Sequence, residues 1–135
     1  MGFVTKDSGE RVEFGSGMRR DTQEGKPRFD LLFPKGVPFD EQFMTRVAAL
    51  MARGAVKYGD RNWELADGQA ELDRFVASAA RHFHQWLAQR LGAPEDGEDH
   101  AAAVAFNLMG TEFVRWKLTG GEAEAVREVS RPGVT

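Results

Sequence analysis

The 135-residue sequence contains three histidines, His82, His84 and His100, all within "SAARHFHQWLAQRLGAPEDGEDHAAAVAFN", residues 78 to 107. His82 and His84 follow Arg81 in one helical pattern, and His100 follows Glu98 and Asp99 at the start of the next. Imidazole can move a proton near neutral pH or hold a metal, and carboxylates can share a divalent ion with it. The chain has no Cys, so any bound metal must rest on His and carboxylate, which points toward a hard, oxygen-preferring ion. A helix start adds free backbone N–H groups and a positive dipole end, and these suit a phosphate.

Plainer readings stand beside these. His84 fits a surface residue, and "EDGED" fits a solvated loop whose acids favour the following helix start through its dipole. Asn107 sits in the apolar run "AVAFNLM". A buried amide left unpaired costs about 1–3 kcal/mol, so it needs a partner in the core or in a ligand. The stretch "GAVKYGDRNWE" gathers Lys57, Tyr58, Arg61, Asn62 and Trp63, a mixture able to stack a base and hold phosphates. Tyr58 and Trp63 equally fit the sealing of a core edge. "RRDTQEGKPRFD" adds Arg20, Lys26 and Arg28 among Asp21 and Asp30, either a solvated arm or a second phosphate-binding lip.

The elements that must position these groups are legible from periodicity. Residues 1–38 read as an N-terminal arm: "KDSGE" between Phe3-Val4 and Val12-Phe14 predicts a short β-hairpin, with any strand confined to the first fifteen residues or so. Phe29, Leu31, Leu32 and Phe33 predict an anchor segment. Residues 39–135 read as a helical domain that carries the residues suited to a base and phosphates, so the fold class is mainly α, with three main helices around a helical-hairpin core. Phe43, Val47, Leu50 and Met51 predict a helix over about 40–58, capped by Asp40 and ended by Gly54 or Gly59. A second, over about 68–90, opens at Asp67 and carries an apolar stripe through Leu72, Phe75, Val76, Ala79, Phe83, Trp86 and Leu87. A third, over about 98–118, starts near Glu98 and stops at Gly120-Gly121. "EAEAVREV" can add a last helical turn, and "SRPGVT" reads as a frayed end. The short "APEDGED" connection makes the last two main helices antiparallel neighbours, and that brings Asp99-His100 toward His82.

Composition narrows the partners. A formal net charge of -3 gives no attraction to polyanions, so duplex nucleic acid is not expected as a partner. No apolar run approaches the ~20 residues that span a bilayer, and "MGFVTKDSGE" lacks a signal-peptide core, so no membrane is expected and the expected compartment is the cytoplasm.

The ordered series "DSGERVEF", "GMRRDTQEGKPRFDLL", "MARGAVKYGDRNWE", "SAARHFHQWL" and "DGEDHAAAVAFN" resembles a family of small phage and prophage proteins, the dATP/dGTP diphosphohydrolases. That family is loosely related to the all-α (MazG-like) nucleoside triphosphate pyrophosphohydrolases. The resemblance implies a Mg²⁺- or Mn²⁺-dependent hydrolase that splits a purine nucleoside triphosphate into monophosphate and pyrophosphate. It further implies a homo-oligomer in the cytoplasm of an infected or lysogenic bacterial host. Better understood relatives hold the ion with ExxE on one helix and ExxD on the next. Here Glu95 and Glu98 have the first spacing, with Gly97 between them, and no ExxD follows. The implied metal ligands are therefore Glu98, Asp99, His82 and His100, with His82, Glu98 and Asp99 as catalytic candidates. His82 is either ligand or general base. Arg81 and Lys57 would meet phosphates, and Asn62 and Trp63 the base. The missing acidic pair equally suits a non-catalytic receptor or sponge for a nucleotide or nucleotide-derived signal.

Overall fold

The computed structural model describes residues 6–121, and the chain divides into two compact units, 1–34 and 35–135. The expected strand at Phe3-Val4, the last helical turn of "EAEAVREV" and the frayed "SRPGVT" lie outside the described residues.

The first unit carries an antiparallel pair, β1 (Arg11–Glu13) and β2 (Arg19–Asp21), with Val12 opposite Arg20. A strand thus reaches beyond residue 15, which corrects the expected bound: Val12 pairs forward with Arg20, while the expected pairing back across "KDSGE" falls on residues outside those described. The reason is the "GSG" turn. Gly17 adopts φ 90°, its N–H donates to Phe14 O at 2.8 Å, and Phe14 N–H donates to Met18 O at 2.8 Å. Glycine supplies that left-handed position without steric cost. Asp21 then ties the "DSG" turn to β2 by accepting from Ser8 N–H, the Ser8 hydroxyl and Lys26 Nζ. These bonds hold its carboxyl well below the usual range. Phe29, Leu31, Leu32 and Phe33, the expected anchor, are all exposed.

The second unit is helical: α1 (Phe43–Tyr58), α2 (Gln69–Arg90) and α3 (His100–Leu118), with a 3₁₀ turn at Asn62–Leu65. Two helix starts differ from expectation. Asp40 lies in a separate 3₁₀ turn and Gln42 occupies the N-cap of α1, while Gly68 rather than Asp67 caps α2. Gly59, at φ 93°, ends α1, and Gly54 lies inside it. α2 and α3 form the antiparallel hairpin, and α1 packs on α3. Small residues permit the close approach: Ala102 and Ala103 are buried, and a Cβ on Gly110 would come within 2.5 Å of the Phe75 ring. Val47, Ala79 and Val114 complete the buried apolar set, with an aromatic layer of Phe75, Phe106, Phe113 and Trp63 beside it. No helix among the described residues is long and apolar enough to cross a membrane.

Candidate functional site

The short connection after α2 returns the chain so that the first turn of α3 faces the last turns of α2. Asp99 is the N-cap of α3, its carboxylate accepting from Ala102 N–H at 3.1 Å. His100 therefore points back into the hairpin, where its side chain is fully enclosed. Its Nδ1 lies 3.0 Å from His82 Nδ1, and its Nε2 lies 2.8 Å from Asp96 Oδ2. Glu98 Oε1 stands 3.8 Å from His82 Nδ1, and Arg81 Nη2 stands 3.5 Å from His82 Nε2. His84 is exposed on the same helix, away from this cluster. One nitrogen of His82, one of His100 and one oxygen of Glu98 lie within 4.8 Å of one another, close enough to share an ion. Two imidazoles and a carboxylate make a mixed N/O set, which suits Mn²⁺ and its neighbours in the first transition row better than Mg²⁺.

Burial pushes the His82 pKa below the usual histidine value. Glu98 opposes that shift, while Arg81 and His100 add to it. The unfolded chain therefore takes up a proton near pH 6.5 while the folded chain resists it. Stability is complete above that pH and declines as the pH falls below it toward the folded pKa. A series of thermal melts should show this decline in the wild type. It should be reduced in His82→Asn, whose side chain does not titrate, and retained in His84→Ala.

Asp99 has a second commitment. Arg46 of α1 donates to both its oxygens, at 2.7 and 2.9 Å. This bond, ahead of the cap, holds the Asp99 carboxyl below its usual range. Both oxygens are thus already engaged, and Asp99 links α1 to the start of α3. Arg46 and Arg53 line a cavity of about 420 Å³ with Asp96, Glu98 and Asp99, directly beside the histidine pair. Sequence reasoning missed Arg46, Arg53 and Asp96. The two arginines are seven residues apart and so share a helical face, but nothing local shows that this face meets the α3 start. Asp96 precedes His100 by four positions across a Gly turn, the one local hint available.

The second residue group lies elsewhere in the unit. Lys57 is eleven residues beyond Arg46 on α1, roughly 16 Å along the axis at 1.5 Å per residue. Tyr58, Arg61, Asn62 and Trp63 follow it and line a separate cavity of about 650 Å³, floored by Phe75 and Phe106. Arg61 adopts the left-handed conformation, φ 61°, and pairs with Glu64. Trp63 stands edge-on to Phe113 and Phe106, at centroid distances of 5.3 and 6.2 Å. Lys117 holds this turn onto α3 by donating to Glu64 O at 2.8 Å and Ala66 O at 3.0 Å. The structure thus brings His82, Glu98, Asp99, His100 and Arg81 together, and Lys57 to Trp63 into a group of their own. Asn107 belongs to neither. It is buried, and its amide donates to Ala103 O one turn back at 2.8 Å, which supplies the required partner within its own helix. In the first unit Arg20 is exposed on β2, Lys26 pairs with Asp21 at 3.1 Å, and Arg28 with Asp30 at 2.6 Å.

A family model described as dATP/dGTP diphosphohydrolase, N-terminal, matches residues 16–121. No curated protein and no solved structure matches the chain.

Proposed function

The chain belongs to the family described as dATP/dGTP diphosphohydrolase, N-terminal, and from that premise we propose that it hydrolyses a purine deoxynucleoside triphosphate to monophosphate and pyrophosphate with the help of a divalent ion. The observation that carries this reading is the placement of His82, Glu98 and His100 beside a cavity lined by Arg46 and Arg53. A water oxygen attacks the α-phosphorus, the bond to the bridging oxygen breaks, pyrophosphate leaves and the water proton passes to a base.

His82, Glu98 and His100 are the proposed holders of a Mn²⁺ or Mg²⁺ ion, which when bound would offset phosphate charge and acidify water. Arg53 and Arg81 face the phosphates and offset the charge that develops on their oxygens. Asp99 acts at one remove, holding Arg46 in the cavity wall and fixing the first turn of α3. The Tyr58 to Trp63 cavity is the proposed seat of the base and, set roughly 16 Å along α1 from Arg46, would be supplied by a second protomer of a homo-oligomer. Incubation with the four deoxynucleoside triphosphates and their ribose counterparts, with Mg²⁺ or Mn²⁺, followed by chromatography, tests the reading. Monophosphate and pyrophosphate should appear from the purine deoxynucleotides. A purine nucleotide that binds and stays intact would replace the enzyme with a receptor or sponge.

The proposed enzyme is a homo-oligomer. Val76, Phe83 and Leu87, expected in one apolar stripe with Leu72 and Phe75, are instead exposed, and with Ala80 and the C-cap Leu91, 79% exposed, they form a separate stripe along α2 at spacings of three and four. Such a stripe on a helix is the pattern of a helix–helix seam. Phe83→Glu is expected to convert the oligomer to monomer in sedimentation or light scattering. A wild type that is monomeric at high concentration would remove this part of the proposal.

A further inference from the structure

We propose that Asp96 is a positioning residue: by accepting the His100 Nε2–H it fixes the tautomers of both buried imidazoles and leaves His100 Nδ1 unprotonated, its lone pair turned to the His82 Nδ1–H beside Glu98. The tautomer assignment stands on geometry alone, and its consequence for an ion rests on the reading of this cluster as the divalent-ion site.

An ionised carboxylate only accepts, so the 2.8 Å contact between Asp96 Oδ2 and His100 Nε2 places a proton on that nitrogen. A neutral ring then has no proton on Nδ1. The 3.0 Å contact between the two Nδ1 atoms needs one proton, and it must come from His82. His82 Nε2 is then bare, and it faces Arg81 Nη2, a group that can only donate, at 3.5 Å. Every member of the chain from Arg81 through His82 and His100 to Asp96 is satisfied. The reverse polarity sets two acceptors together at Asp96 and two donors together at Arg81. A doubly protonated His100 still leaves two donors facing each other at Arg81.

Asp96 is itself held. Its Oδ1 accepts from Glu98 N–H at 3.0 Å and from the Gln89 amide at 3.3 Å. An aspartate carboxylate is ionised at neutral pH and can only accept there. His100 can therefore offer Nδ1 to an ion without changing its own tautomer, once His82 withdraws the proton it donates there. His82 must first move its proton from Nδ1 to Nε2, which turns a donor toward Arg81 and displaces that guanidinium toward the phosphates.

The test uses the full chain without metal, near pH 7.5, and long-range proton–nitrogen correlation of its three imidazoles, with His84→Ala to assign the exposed ring. His100 should show a pyrrole-like Nε2 and a pyridine-like Nδ1, and His82 the opposite. In Asp96→Ala the His100 pattern should become mixed, and Mn²⁺ affinity measured by electron paramagnetic resonance should fall about 10–100-fold. Asp96→Asn, which keeps a neutral acceptor, should restore most of the wild-type pattern. A protonated Nδ1 on His100 in the wild type overturns the proposal even if Asp96→Ala fails to fold, and so does an Asp96→Ala spectrum unchanged from wild type. Tautomers as described in a wild type that binds no Mn²⁺ would instead remove the ion from the site and leave the positioning role intact.

Discussion

Replacing His82 by Ala is expected to lower kcat/KM for a purine deoxynucleoside triphosphate by about 10²–10⁴-fold, the range found when a positioned proton-transfer group is lost. The expectation rests on position: His82 is buried, 3.0 Å from His100 and 3.8 Å from Glu98, and Glu98 lines the arginine-lined cavity. As an ion ligand or as the base, it is the side chain on which the cluster converges. His84→Ala is the matched control. It lies two residues away on the same helix but is exposed, and activity should stay at wild-type level. The thermal melt must accompany the kinetics, because His82→Ala leaves a buried gap beside His100. A folded His82→Ala that turns over at the wild-type rate would move the chemistry away from this end of the hairpin.

Trp63→Ala should cost more stability than Tyr58→Ala, whose ring at the end of α1 is exposed. Full burial of such a ring is worth about 3–5 kcal/mol on truncation to Ala. Trp63 is half-buried, so roughly 2–3 kcal/mol is expected, and for a domain of this size about 10 °C of melting temperature. The cause is edge-on packing against Phe113 and Phe106 on α3. Trp63 also lines the 650 Å³ cavity, so nucleotide affinity should be measured well below the melt of the variant. A melt that stays put while affinity falls would assign Trp63 to stacking a base. A lowered melt with little change in affinity would assign it to closing the core and leave the base to Tyr58 and Asn62.

Much of the helical unit was legible in the sequence because its signals are short-range. The spacing of Phe43, Val47, Leu50 and Met51 marks α1, and Gly59 and Gly120 mark helix ends where positive φ is needed. The brief "APEDGED" connection forces α2 and α3 to pack side by side, and the meeting of His82 with His100 follows from it. The strand β2 was not legible in the same way, since its residues Arg19–Asp21 are charged and carry no apolar alternation, and the "GSG" turn is what sets them opposite Val12.

Tertiary structure alone decided how the polar groups share their partners. Asp99 could be read as a metal ligand from its neighbours, but Arg46, 53 residues away, takes both its oxygens once α1 lies across the start of α3. Asp96 became part of the site because a Gly turn folds it onto His100. Lys57 to Trp63 became a separate group because α1 is long enough to carry them roughly 16 Å from Arg46. Periodicity and capping depend on residues within a turn or two of each other and can be read along the chain. Which carboxylate meets which cation depends on the faces that the packed helices present, and that is settled only when the core closes.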